Sequence, residues 1–236
     1  MRLRRFYFPG SLNSNGHICL PQALSNRLRH VLRVKKGDVI CLFNGLGGES
    51  KVVIEAISNP VVVHVTAFDP NDRVPNRDVH LLVALSQGKT MDWVMQKATE
   101  LGVKSIQPII TMRSKVSQVS PSTYERWRKI VVSACEQCGL NRLPEILPCL
   151  TFQTWLEQSG HCPFVVPNPH GDDAPIIFDG LPDEICLLIG CEGGWSPEEL
   201  LQMEGLSNMI YWYMGERILR METAVVVACS WLTCLV

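Results

Sequence analysis

Residues 79–102 read Val79-His80-Leu81-Leu82-Val83-Ala84-Leu85, then Ser-Gln-Gly-Lys-Thr, then Met91-Asp-Trp-Val94-Met95-Gln-Lys-Ala98-Thr-Glu-Leu101-Gly102. The first seven form a nearly continuous apolar run, the pattern of a strand covered on both faces. Met91, Val94, Met95, Ala98 and Leu101 then recur at i, i+3, i+4, i+7 and i+10, which is helical spacing, and Gly102 stops the helix. The same alternation continues downstream. Strands are expected at 105–110, 164–166, 185–189 and 209–214, and helices at 121–138, 152–158, from 197 and from about 220. Strands alternating with helices predict an α/β domain built on a mainly parallel sheet.

Upstream the pattern is different. Apolar β-formers recur at 5–8, 17–20, 39–43, 51–57 and 61–68 between Gly, Asn and Pro clusters, the spacing of a small barrel or sandwich. One helix interrupts them between Pro21 and Arg33, where Ala23, Leu24, Leu28, Val31 and Leu32 fall at helical intervals. Residues 69–77, with two prolines and little apolar character, read as a linker open to proteolysis. The expected organisation is therefore a β-rich domain over residues 1–72 and an α/β domain over 73–236.

Composition supports a buried core: 46% of the 236 residues are apolar and 19% charged. The net charge of −1 conceals an asymmetry. Residues 1–72 carry nine basic and five acidic residues, net +4, whereas 73–236 carry thirteen and eighteen, net −5. Eight of the basic residues lie before Asp38, which suggests either a polyanion partner or a solvated surface. The ten cysteines sit mostly in apolar runs, such as Ile185-Cys186-Leu187, where Cys behaves as a small hydrophobe. That usage fits a reduced, cytoplasmic setting. Cys135 and Cys138 form a CxxC on a helical pattern without a second pair at zinc-finger spacing, so no metal is expected. The apolar run from Ala224 to Val236 is thirteen residues long, short of the roughly 20 that span a bilayer. It reads as a buried or interface helix, with no membrane partner.

Two loops carry the chemistry. Asn44-Gly45-Leu46-Gly47-Gly48 is followed by another strand and reads as a hairpin turn, since a phosphate cradle needs a helix N-terminus there. Leu187-Leu188-Ile189-Gly190-Cys191-Glu192-Gly193-Gly194-Trp195-Ser196 instead leaves a strand and enters a helix, with Ser196 as N-cap and Pro197 as first residue. Its glycines would let a ligand approach the backbone at the strand-end edge where α/β proteins bind ligands; a purely structural turn is the alternative. From Leu143 through Glu216 there are twelve acidic residues and no Lys or Arg. Arg217 and Arg220 then appear within Gly215-Glu216-Arg217-Ile218-Leu219-Arg220-Met221-Glu222. They suit an anionic or electron-rich target, or else local ion bridges to Glu216 and Glu222.

Ile189 to Gly194, paired with Met214 to Ala224, resembles the signature of the bacterial 16S ribosomal RNA uridine-N3 methyltransferase family of the SPOUT superfamily. The likeness continues through Gln96 to Val103, Cys135 to Gly139 with Pro144-Glu145-Ile146, Arg2 to Pro9, and His30 to Arg33, essentially the whole chain. It departs at Cys191, where the family usually has Pro, and at Met221, where it usually has Thr.

The resemblance implies a PUA-like β-barrel at the N-terminus and a C-terminal domain tied in a trefoil knot, acting as a homodimer. It implies S-adenosylmethionine (SAM) as cofactor, held by Leu188, Gly190, Glu192, Gly193 and Gly194 with Tyr213, Met214, Gly215, Ile218 and Leu219. The substrate would be 16S ribosomal RNA of the small ribosomal subunit. Arg217 and Arg220 are expected to stabilise charge on the uracil, with Glu222 or water accepting the proton. Arg2, Arg5, Arg29, His30 and Arg33 are the expected RNA contacts. Three other classes share parts of this pattern: a ribose 2′-O-methyltransferase, an RNA-binding protein without catalysis, and a dinucleotide-dependent oxidoreductase. The last needs G-x-G-x-x-G opening a helix, which is absent.

Overall fold

A computed structural model describes residues 3–12, 16–158, 162–167, 181–206 and 208–234. The chain divides into two compact units: Met1–Val74 with Cys135–Leu143, and Pro75–Ala134 with Pro144–Val236.

The first unit contains β1 (Arg5–Tyr7), β2 (His17–Cys19), α1 (Gln22–Asn26), β3 (Val39–Phe43), β4 (Glu49–Ala56) and β5 (Val62–Asp69). They form a five-stranded sheet in the order β1-β3-β4-β5-β2, antiparallel except for the β1–β3 pair. Alternate residues Ile40 and Leu42, Val52 and Ile54, and Val63 and Val65 enter one core with Phe6, Leu24 and Leu28. Period-two alternation of this kind gives a sheet one buried face. The helix expected to run to Arg33 departs from α geometry after Asn26, where Arg27–Val31 forms a π-helical turn. A π turn carries extra residues relative to an α turn, so the apolar register is lost. Leu28 stays fully buried while Val31 is turned out, 73% exposed.

Cys135–Leu143 belongs to this first unit, which a linear division at residue 72 does not anticipate. Arg5 explains why. Its guanidinium donates to the Cys135 carbonyl (2.6 Å) and the Leu140 carbonyl (3.2 Å), and its Nε pairs with Glu49 (2.9 Å). Glu136 accepts from the Tyr7 amide at 3.1 Å and pairs with Arg27 at 2.8 Å. The Cys135 side chain is fully buried, and burial pushes its thiol up to about 12. It packs as a hydrophobe.

Past Asp69, the last residue of β5, residues 70–77 have no regular structure, yet they are tied down rather than loose. Asp72 accepts from the Gly48 amide (2.9 Å) and from Arg142 (2.6 Å), and Arg73 pairs with Glu49 at 2.7 Å. Arg77, in the second unit, donates to the Pro182 carbonyl at 3.0 Å. The Arg73 amide also donates to the Asn141 side chain, which donates in turn to the Asn71 carbonyl (2.8 Å), so the segment is bonded within the first unit.

The second unit comprises β6 (Asp78–Ala84), α2 (Lys89–Glu100), β7 (Ser105–Ile110), α3 (Pro121–Cys138, whose last turn enters the first unit), β8 (Glu145–Ile146), β9 (Leu150–Thr151), α4 (Phe152–Gln158), β10 (Phe164–Pro167), β11 (Glu184–Ile189), α5 (Pro197–Glu204), β12 (Met209–Trp212) and α6 (Met221–Cys234). All its strand pairs are parallel, in the order β12-β10-β11-β6-β7-β8, with β9 also on β7. Side chains of β6 alternate between two cores. Val79, Leu81 and Val83 pack with Met91 and Met95 of α2 and Val225 and Leu232 of α6; Leu82 and Ala84 pack with Phe152 and Trp155 of α4 and Met203 of α5. A parallel sheet covered on both faces favours apolar residues on both, which is why 79–85 is apolar except at His80, whose ring bonds Ser105 and Glu184.

Candidate active site

In a parallel sheet all strand C-termini share one edge, and both glycine-bearing loops leave from it. The Gly190–Ser196 loop follows β11 and the 213–220 loop follows β12; β10 lies between those strands, so the loops flank its end. Residues 168–180, which continue from β10, lie outside the described residues.

The first loop is held in shape from several directions. Ser196 caps α5: its hydroxyl accepts from the Glu199 amide at 3.1 Å while Glu199 accepts from the Ser196 amide at 2.8 Å. The other Glu199 oxygen accepts from the Met112 amide at 2.8 Å, so this buried carboxylate is satisfied by backbone N–H groups. Gly194 turns back with its amide on the Cys191 carbonyl (2.8 Å) at φ +68°, a conformation that disfavours any side chain. Arg113 donates to the Gly193 carbonyl at 2.6 Å, and the Ser86 hydroxyl, just past β6, donates to the Glu192 carboxylate. Cys191 is buried and reaches the Gly194 carbonyl (3.6 Å). The usual family proline is thus replaced by a residue that packs inside the turn.

The second loop is more open. Gly215 has φ +97°, and the space where a Cβ would stand is empty at both Gly194 and Gly215, as a backbone cradle for a ligand requires. Glu216, Arg217, Ile218 and Arg220 are exposed, Ile218 to 84%. Among the described residues neither Arg217 nor Arg220 forms an ion pair with Glu216, Glu222 or any other carboxylate. Local ion bridging therefore does not account for them. The Arg220 carbonyl accepts from the Ala224 amide (2.9 Å) at the start of α6, and Glu222 stands half-buried in its first turn. Leu188 is fully buried, which leaves only its backbone to meet a ligand. Tyr213, Met214 and Leu219 are half-buried.

The expected RNA contacts divide. Arg2 lies outside the described residues. Arg5 is only 6% exposed and bonded inside the unit, so a phosphate contact is withdrawn from it. Its position in an uncompensated basic run concealed a buried partner 130 residues away. His30 and Arg33 are exposed and Arg29 half-buried, on and just after the π turn, and Arg33 holds φ +50°. Ser86 and Arg113, which brace the first loop, were not singled out from the sequence. The signal for Ser86 was its place directly after an apolar strand, at the ligand-binding edge.

A family model for an RNA methyltransferase domain matches residues 73–233, and one for an RNA methyltransferase PUA domain matches 28–63. Ribosomal RNA small subunit methyltransferase E of Buchnera aphidicola is 30% identical over 96% of this chain and 94% of its own. That of Bacillus subtilis is 29% identical over 85% and 83%. The crystal structure of ribosomal RNA small subunit methyltransferase E from Neisseria gonorrhoeae bound to SAM superimposes with a TM-score of 0.88 at 29% identity, covering 97% of this chain and 96% of that one. A Legionella pneumophila protein, also solved with SAM, gives 0.87 at 31%, covering 98% and 97%. With one model spanning most of the chain and full-length relatives at this identity, the chain belongs to the ribosomal RNA small subunit methyltransferase E family of RNA methyltransferases.

Proposed function

We propose that this protein is a SAM-dependent methyltransferase acting on N3 of a uridine in 16S ribosomal RNA of the small subunit. The observation that carries the reading is the pair of glycine-bearing loops flanking β10 at one sheet edge, each with an open glycine at positive φ. Leu188, Gly190, Glu192, Gly193 and Gly194 would hold the cofactor from one side, and Tyr213, Met214, Gly215, Ile218 and Leu219 from the other, largely through backbone groups.

When bound, SAM supplies a methyl group activated by its sulfonium. The protein's task is to align uracil N3 with that methyl, and good alignment contributes roughly 7–11 kcal/mol to lowering a barrier. The N3 proton must also leave. Arg217 and Arg220 stay cationic at any working pH, so they fit the stabilisation of negative charge on the base or on a neighbouring phosphate. Glu222, beside them, or water would accept the proton.

Arg2, Arg29, His30 and Arg33 would grip phosphates from the N-terminal domain, read as a PUA-like barrel over residues 1–72 beside a knotted SPOUT domain over 73–236. The apolar α6 and its exposed Trp231 fit a homodimer interface. Among the described residues no helix is long and apolar enough to cross a membrane, and a ribosomal substrate suits the cytoplasm. Calorimetry with SAM, together with labelled methyl transfer to small-subunit RNA, tests the reading: it requires both, and a chain that binds SAM without labelling RNA would overturn it.

A further inference from the structure

Beside the first loop, across Ser86, lies a cavity of about 380 Å³ at the end of β6, between the N-terminal parts of α2 and α3. None of the proposed cofactor or catalytic residues lines it. Its walls are mixed. Met91, Val119 and Trp127 are apolar, whereas Ser86, Gln87 and Gln118 carry hydroxyl and amide groups. No Asp or Glu lines it, and its one cation is Arg126. Trp127 is 2% exposed and fixed: its indole N–H donates to Asp92 at 3.2 Å, and Arg126 binds the same oxygen at 3.0 Å. Gly88, the N-cap of α2, offers no side-chain cap, so the first amides of that helix are left for another acceptor.

We propose that this cavity is the chamber that receives the target uracil. The inference rests on the reading that the substrate is a uridine methylated at N3. That nitrogen lies on the Watson–Crick edge, so the base must leave any pair or stack before it can react, and enzymes of this kind extrude it into a fitted pocket. The volume falls at the small end of ligand pockets, about 300–1,000 Å³. The half-buried Val116 and Val119 suit a base plane, and the Gln87 and Gln118 amides can donate to O2 and O4. The cofactor is a poor occupant by comparison. It carries an ammonium and a sulfonium, and this lining holds no carboxylate to meet either. Ser86 joins the two sites: it lines the chamber and donates to Glu192 of the cofactor loop, so the base and the methyl donor would be held by connected groups. Negative charge spreading over O2, N3 and O4 as the proton leaves would face the uncapped N-terminus of α2.

The test has two parts. Full-length enzyme loaded with S-adenosylhomocysteine is photocrosslinked to 16S ribosomal RNA carrying sparse 4-thiouridine, and the labelled peptides are sequenced by mass spectrometry. Crosslinks within 85–91 or 116–127 are expected; crosslinks confined to other segments would overturn the proposal. In parallel, Val119→Trp should fill the chamber. We expect SAM affinity close to the parent's and methylation slower by about a hundredfold or more, the usual consequence of a misplaced reactant. Gln118→Ala, a smaller change, should lower kcat and kcat/KM together with SAM affinity kept, because a donor to O2 or O4 is worth more once negative charge has spread onto that oxygen. Parental turnover in Val119→Trp would sink the idea. Loss of SAM binding in both variants would do so too, by giving the chamber to the cofactor. If the parent enzyme methylates small-subunit RNA at another position, the functional reading fails, while crosslinks into the chamber report the base pocket separately.

Discussion

Replacing Arg5 with Ala separates a structural arginine from an RNA-binding one. In the folded protein the Arg5 side chain is 3% exposed, bonds two backbone carbonyls and the Glu49 carboxylate, and lies over the Phe43 ring at 4.5 Å. Truncation strands the Leu140 carbonyl, at about 1–3 kcal/mol for a buried unsatisfied group, and takes one of two donors from the Cys135 carbonyl, which keeps the Gly139 amide at 3.2 Å. Glu49 is not left alone, because Arg73 still pairs with it at 2.7 Å. The total should therefore fall near the low end of the 3–5 kcal/mol typical of breaking a buried pair. For a chain of this length, each kcal/mol moves the melting temperature by about 2–4 °C, so a drop of roughly 6–12 °C is expected. Differential scanning calorimetry measures it, and RNA binding of the still-folded variant at low temperature should change little. A variant that melts within about 2 °C of the parent but has lost RNA affinity would refute the reasoning.

The same cluster sets a pH dependence. Burial pulls the Glu49 pKa upward, but the hydrogen bond from Arg73 and the charge of Arg5 outweigh it, leaving it below the ordinary 4.5. A carboxyl depressed in the folded state stabilises above its unfolded pKa, and that stability is lost as pH falls through the folded value. The parent should lose stability below about pH 4.5, and Arg5→Ala should lose less over the same range; equal acid slopes in urea titrations would contradict this. Arg29→Ala with Arg33→Ala should lower the salt slope of RNA binding by about 1.4–1.8, each phosphate contact being worth about 0.7–0.9, with SAM affinity unchanged in calorimetry. Gly194→Ala, forcing a side chain to φ +68°, should strain the first loop by roughly 1–2 kcal/mol and weaken SAM binding about tenfold; unaltered affinity would remove that glycine from the cofactor site. Glu199→Ala strands the Met112 amide and half the Ser196 capping box, so a loss of about 1–3 kcal/mol is expected in urea unfolding.

Much of the α/β unit could be read directly, because its signals are local. The β6 run and α2 spacing report burial on both faces of one strand and one face of one helix. The Gly190–Ser196 loop carries its own N-cap, first-turn proline and glycines. What escaped depends on distant partners. Nothing near Arg5 in the chain says that Cys135–Leu143 returns to meet it, so a basic run was read as surface. The π turn at Arg27–Val31 shifted Val31 outward although the apolar spacing favoured a plain helix. β8 and β9, two residues each, are too short for any periodicity. The cavity by Trp127 is assembled from two separate segments, 85–91 and 116–127, and Met91 sits in a plain helical apolar pattern.

The most direct measurement is the identity of the methylated nucleoside. Small-subunit RNA treated with this enzyme and labelled SAM is digested to nucleosides and separated, with Arg217→Ala and Arg220→Ala run alongside. The account predicts label in N3-methyluridine for the parent. For each variant it predicts a single-turnover rate lower by about a hundredfold or more, while SAM still binds. Label in a ribose-methylated nucleoside, or full rates in both variants, would contradict it.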